Sequence, residues 1–165
     1  MAASARIGIR TKGAERLARV ARRVAAWEGA RRLRVDLTLL DAAAMRRLNR
    51  RATGRRGLTD VLAFALPQPD GALLGDVYIC PDAARRWLDG VPRPTFHVPR
   101  NGRTSNVQGA TCNVDEELVR LTVHGTLHVL GYDHPEGRGR TRSAMWLRQE
   151  RYVRRLRGGR EGGER

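Results

Sequence analysis

The chain has 165 residues, 41% of them apolar, and 32 basic against 17 acidic side chains give it a formal charge of +15. That length suits one domain with its own core, and that apolar share excludes disorder as the default state. No run approaches the ~20 apolar residues of a bilayer span, and the opening MAASARIGIRTKG lacks an apolar signal-peptide core, so a cytoplasmic location is the expectation.

Ala5 to Arg10 alternates weakly and reads as a first strand. From Ala14 to Trp27, the side chains of Leu17, Val20, Ala21, Val24 and Trp27 recur at helical spacing, with Arg16, Arg19, Arg22 and Arg23 on the other faces. Leu33 to Leu40 alternates like a strand, and Asp41 is a fitting N-cap for a helix from Ala42 to Arg51. A basic loop, Arg50 to Gly57, leads to two strands, Asp60 to Leu66 and Gly75 to Cys80. The PQPDGALL between them carries Pro and Asp-Gly turn signals, so the pair is predicted to form an antiparallel hairpin. Pro81 suits the first turn of a short helix reaching about Leu88.

Asp89 to Cys112, with Pro92, Pro94 and Pro99 and little periodicity, reads as a long irregular loop; His97 within it is a surface residue. Asn113 and Glu116 resemble a capping box ahead of an apolar helix, Leu118 to Leu130, which Gly131 ends. Arg138 to Leu156 has the pattern of a final amphipathic helix, and residues 158–165 form a Gly/Arg/Glu tail expected to be disordered. Residues 1–157 are therefore expected to form a single α+β domain, a mixed sheet with helices packed on it.

A field this positive favours a polyanion, with RNA, DNA or an anionic membrane as candidates and nucleic acid ahead of the membrane. The basic helices carry the apolar faces that a core requires, so membrane binding is not expected. The plainer alternative is a solvated basic surface. The two cysteines, Cys80 and Cys112, lack metal or disulfide-framework spacing and are expected as buried thiols.

The chemistry concentrates in Val123 to His134, VHGTLHVLGYDH. His124 and His128 stand one helical turn apart on one face, and the chain can double back at Gly131 to bring His134 to the same point. Three neutral imidazoles leave a fourth tetrahedral position open, the arrangement of a catalytic zinc site; nickel or cobalt would also suit. The HxxxHxxGxxH spacing is that of metzincin proteases, yet Gly125 stands where they carry their general-base Glu, which argues against peptide hydrolysis.

This segment resembles the HGxLHLxGYDH signature of the YbeY family, metal-dependent endoribonucleases of ribosomal RNA maturation. LTDVLAF (Leu58 to Phe64) is similar to the family's PTDVLSF, LGDVYIC (Leu74 to Cys80) to its GDIxI strand, and Leu48-Asn49 to its Leu-Asn pair. The resemblance covers most of Leu33 to Leu156. It implies an α+β fold with the metal-site helix central, one zinc ion on His124, His128 and His134, and a single-strand-specific endoribonuclease acting on the 3′ end of 16S ribosomal RNA at the small ribosomal subunit. The family's YR pair falls on Ala52 and Thr53, so the cation beside the metal would have to come from Arg51, Arg55 or Arg56. Asp60, Asp76 and Asp133 are candidates for proton transfer or ligand support, with capping and turn roles as the alternative, and Tyr132 is expected to pack. Two rival readings are a metal hydrolase of another substrate and a non-enzymatic ribosome assembly factor with a structural metal.

Overall fold

The structure, a computed structural model, describes residues 6–12, 15–89, 114–135 and 139–158. Four strands form one mixed sheet in the order β1-β2-β4-β3. Strands β1 (Arg6–Lys12), β2 (Arg32–Leu39) and β4 (Leu73–Ile79) run parallel, and β3 (Val61–Pro67) pairs antiparallel with β4, Val61 opposite Ile79 and Pro67 opposite Leu73. The predicted hairpin is present. Its turn closes through Gln68 N–H to Ala72 O at 2.8 Å, with Gly71 at φ +77 and the Asp70 carboxylate accepting from Ala72 N–H at 3.0 Å.

Alternation decides which face is covered. Leu33, Val35 and Leu37 of β2 and Val77 and Ile79 of β4 are buried, and they meet α1 (Glu15–Trp27) and α4 (Val114–Val129). Helix α5 (Ala144–Gly158) adds Met145, Tyr152 and Val153 to the same core. Helix α4 is buried on nearly all sides, from Val119 through Val129, as a central helix should be. It also sits unusually close to the sheet. A Cβ on Gly75 would fall 2.3 Å from Val129 Cγ1, and one on Gly125 would fall 2.6 Å from Val77 Cγ1. Two glycines, one on each partner, thus set the depth at which the histidine-bearing helix docks.

A second, smaller cluster joins α2 (Ala42–Thr53) and α3 (Pro81–Leu88) through Met45, Leu58, Cys80 and Ala83, with Leu62 and Tyr78 from the other face of the sheet. Asp41 caps α2, its carboxylate accepting from Ala44 N–H at 2.7 Å. Helix α2 runs two residues past the predicted Arg51, because Gly54 at φ +71 takes the left-handed C-terminal position. Pro81 opens α3, and Cys80 is a free buried thiol as expected. Cys112, His97 and Asn113 lie outside the described residues, as does the predicted 89–112 loop beyond Asp89.

Two boundaries differ from the sequence reading. Helix α4 begins by Val114 rather than Leu118, its first turn bearing Asp115, Glu116 and Glu117, which suit the positive end of the helix dipole. The last helix begins at Ala144 rather than Arg138. Ser143 is extended and its hydroxyl accepts from Trp146 N–H at 3.2 Å, a cap that fixes the start, while Arg140–Arg142 form a separate 3-10 turn. Among the described residues no helix is long and apolar enough to cross a membrane.

Candidate metal centre

The three histidines meet because of how α4 ends. Tyr132 N–H bonds to Leu127 O at 3.0 Å and Gly131 N–H to His128 O at 3.0 Å, with Gly131 at φ +91. These two bonds define a Schellman turn, which reverses the chain just beyond the helix. His134 therefore returns to the helix face that carries His124 and His128, as the spacing predicted. His124 Nε2 lies 3.1 Å from His128 Nε2 and 3.3 Å from His134 Nε2.

Those separations test whether a metal ion fits. Three nitrogens at ~2.0–2.1 Å from one tetrahedral ion would stand roughly 3.3 Å apart. All three candidate ligand atoms lie within 4.8 Å of one another. The tautomers agree: with His124 Nδ1–H donating to Gln149 Oε1 at 2.7 Å and His134 Nδ1–H to Pro135 O at 3.2 Å, both Nε2 atoms are lone-pair donors. Two such lone pairs at 3.3 Å have no proton to share, and a common cation is the partner that suits them. The cluster could hold one metal ion.

Gln149 is the orienting group that the sequence reading missed. It is 2% exposed, and its amide is fixed in turn by donating to Glu150 Oε1 at 3.2 Å, the carboxylate that pairs with Arg120. Outer partners of this kind set ligand orientation and basicity. A signal existed: Met145, Gln149, Tyr152 and Val153 form the buried stripe of α5, and Gln149 is its only amide.

Burial, then the neighbouring His128 charge, lowers His124 to about 3, against the pull of the Gln149 bond; Arg140 and His134 add to the lowering. His128 is also lowered, first by burial and then by His134, while Asp133 pulls the other way. Both rings are thus held neutral, the form that binds a metal. Below the ordinary histidine pKa of ~6.5 the unfolded chain takes up protons that the folded one refuses, so stability falls with pH. Metal-free protein is expected to lose about 1.4 kcal/mol per pH unit through His124 as pH drops below 6.5, with His128 adding in the same direction. Denaturant titrations at pH 7.0, 6.0 and 5.0 check this, and equal midpoints would contradict it.

The cluster lies in a cleft of about 240 Å³ whose wall includes Asn49, Thr53, Arg55, Asp60, Asp133 and Arg140. Of the three arginines considered from sequence, Arg55 lines this cleft; Arg51 and Arg56 are exposed and are not among its lining residues. Arg140, absent from the sequence reading, lines it from the turn before α5, with its guanidinium 5.5 Å from the Trp146 ring centroid. Thr53 braces this wall. Its hydroxyl donates to Asn49 O at 2.8 Å and Asn49 Oδ1 at 2.9 Å, and accepts from Arg55 N–H at 3.2 Å. Asp60 is 3% exposed at the cleft wall, whereas Asp76 is exposed and is not among the cleft's lining residues. Asp133 accepts from His134 N–H at 2.7 Å, a turn-capping bond, and also faces the cleft. Tyr132 does more than pack: its hydroxyl donates to Glu28 Oε2 at 2.7 Å.

Comparison with known proteins gives the chain a family and a fold. The chain is 34% identical over 112 residues to a Streptomyces griseus protein named Endoribonuclease YbeY, and 35% identical over 113 residues to one from Streptomyces coelicolor. Each alignment covers 62% of this chain and 58% of the relative, so the match spans little more than half the length of these curated relatives. A Mycolicibacterium smegmatis protein of the same name is 34% identical over 113 residues, covering 62% of this chain and 53% of its own. The solution structure of TM1509 from Thermotoga maritima matches with a TM-score of 0.55 over 97% of this chain and 100% of that one; at 22% identity it shows the shared α+β fold. With the family described as Endoribonuclease YbeY matched over residues 4–89 and 101–157, signature histidines included, the chain belongs to the YbeY family.

Proposed function

We propose that this chain is a zinc-dependent endoribonuclease that cuts single-stranded RNA, acting on the 3′ end of 16S ribosomal RNA during small-subunit assembly in the cytoplasm. The observation that carries the reading is the convergence of three imidazole nitrogens in an open cleft that two guanidiniums also line. At about 240 Å³ the cleft is smaller than the ~300–1,000 Å³ of pockets that enclose a small molecule. A substrate that lies across it, as a chain of phosphodiesters would, suits it better. The formal charge of +15 favours the same polyanion.

Zinc held by His124, His128 and His134 would supply Lewis acidity toward a phosphoryl oxygen and would lower the pKa of a water. The chain's own residues do the rest. His124, held by Gln149, and His134, held by Pro135 O, present fixed nitrogens. Arg55, on the loop braced by Thr53, takes the place of the family's Arg and draws a phosphate to the cleft; Arg51 and Arg56 contribute to the field from outside it. Gly125, packed against Val77, leaves no carboxylate beside the first histidine, which counts against a peptide hydrolase.

Cleavage of a precursor 16S 3′ fragment by zinc-loaded protein tests the reading, with a chelated sample and Arg55→Ala alongside. Wild type is expected to cut and the chelated sample not to. Arg55→Ala is expected to bind zinc normally and cut about 100-fold more slowly, the lower end of the range for a lost preorganised donor because Arg55 is exposed. Folded, zinc-loaded wild type that binds the fragment without cutting it would instead make the protein an assembly factor.

A further inference from the structure

Glu28 sits where local preference would not put it. Helix α1 ends at Trp27 with no basic residue in its last turn, and Glu28 N–H continues the ladder to Val24 O at 3.0 Å. An acid there faces the negative end of the helix dipole. Its side chain is nevertheless 7% exposed, so it is held by tertiary partners rather than by local propensity.

Those partners converge from two other elements. The Tyr132 hydroxyl donates to Oε2 at 2.7 Å, Arg148 Nη1 donates to Oε1 at 3.0 Å, and the Tyr152 hydroxyl donates to Oε1. Arg148 also lies over the Tyr132 ring, 4.7 Å from its centroid. Burial alone would raise the Glu28 carboxyl, but the bonds from Tyr152, Tyr132 and Arg148 outweigh it and hold Glu28 ionised. Tyr132 is the residue whose backbone N–H closes the Schellman turn, and it lies two positions before His134. The ring is thus gripped from both ends, by the helix it follows and by a carboxylate 104 positions earlier in sequence.

We infer that Glu28 is a positioning residue for the metal centre: through the Tyr132 hydroxyl it fixes the turn that returns His134 to His124 and His128. The inference rests on the three-histidine metal reading and adds to it a control point that touches neither metal nor substrate. Once the turn is clamped, the third imidazole arrives preorganised. Released, His134 must be ordered by the metal itself, and affinity falls while the His124–His128 pair on α4 is untouched.

The test is zinc affinity of the full chain, by competition with a chromophoric chelator, together with thermal unfolding of the metal-free form. The variants are Glu28→Gln, Tyr132→Phe, their double mutant, His134→Ala, and Val20→Ala as a core-destabilising control away from the network. Glu28→Gln and Tyr132→Phe are each expected to weaken zinc about 10-fold, the low end for outer partners of a ligand. Their double mutant should lose no more than either alone, since both break one path. Val20→Ala should lower the unfolding temperature and leave affinity unchanged. Should Glu28→Gln fold poorly, Tyr132→Phe, which removes one hydroxyl and keeps the ring under Arg148, carries the test. Affinity within twofold of wild type in Tyr132→Phe, with His134→Ala greatly weakened, overturns the positioning role alone. Unchanged affinity in His134→Ala overturns the three-histidine reading.

Discussion

Replacing His124 with alanine is expected to lower zinc affinity by more than the ~100-fold that outer-partner losses reach, and to abolish the metal-dependent RNA cleavage proposed for this chain. His124 is the hub of the cluster, the ring whose Nε2 lies within 3.3 Å of both others. Without it, the two remaining nitrogens belong to different segments, α4 and the turn beyond it. The fold should survive. Truncation leaves Gln149 Oε1 without its donor, a cost of about 1–3 kcal/mol for a buried acceptor, against a usual stability of ~5–15 kcal/mol. Removing the ring also removes a group that resists protonation, which offsets part of that loss below pH 6.5. Calorimetric zinc titration and circular dichroism on the same sample check both halves. Near-wild-type affinity would show that His128 and His134 bind the ion with some other partner.

Gly125→Glu, the substitution that would complete a metzincin-like motif, is expected to unfold the protein or lower its melting temperature by more than about 10 °C. A Cβ at Gly125 meets Val77 Cγ1 at 2.6 Å, with Val61 Cγ2 and Val77 Cγ2 at 3.4 Å, and Val77 is fully buried and cannot yield. Overpacking costs ~1–3 kcal/mol. An unpaired carboxylate forced among those valines adds about 3–5 kcal/mol more. At ~2–4 °C per kcal/mol for a chain of this size, the sum comes to roughly 8–32 °C, with its middle well above 10 °C. Gly125→Ala separates the two terms. Its helix-propensity gain of ~1 kcal/mol opposes the overpacking, so it should melt only a few degrees lower. Thermal scans of the metal-free proteins decide. A stable Gly125→Glu would show that α4 can move off the sheet.

The close packing at Gly125 gives a physical reason why the protein shares histidine spacing with proteases without their base. The residue after the first histidine points at β4, and the helix docks too closely there for a side chain as long and as charged as glutamate.

Much of this was legible in the sequence because it is local. Asp41 and Pro81 mark helix starts through their own side chains, Asp-Gly marks the hairpin, and the His-x3-His spacing with Gly131 marks the convergence of the imidazoles. The start of α5 was misread because Arg138 to Arg142 continue a basic helical pattern, and only the Ser143 cap stops it. Arg140, Gln149 and Glu28 were missed for a common reason: each matters through contacts with elements distant in sequence. Among Arg51, Arg55 and Arg56, sequence could not choose, because the choice depends on Gly54 ending α2 and Thr53 tying down the next residue but one.

The ligands and the cleft belong to different ranges of the chain. His124, His128 and His134 lie within eleven consecutive positions, while Asn49, Thr53, Arg55 and Asp60 on the opposing wall come from more than sixty positions earlier. Contacts of short sequence separation form sooner than those that must close a long loop. A partly folded chain is therefore expected to bring the three imidazoles together while the far wall is still absent. Metal content then reports on the α4 turn and on the Glu28 and Gln149 contacts that hold it, and only a probe that bridges residues 49–60 to the histidines reports that the cleft is complete.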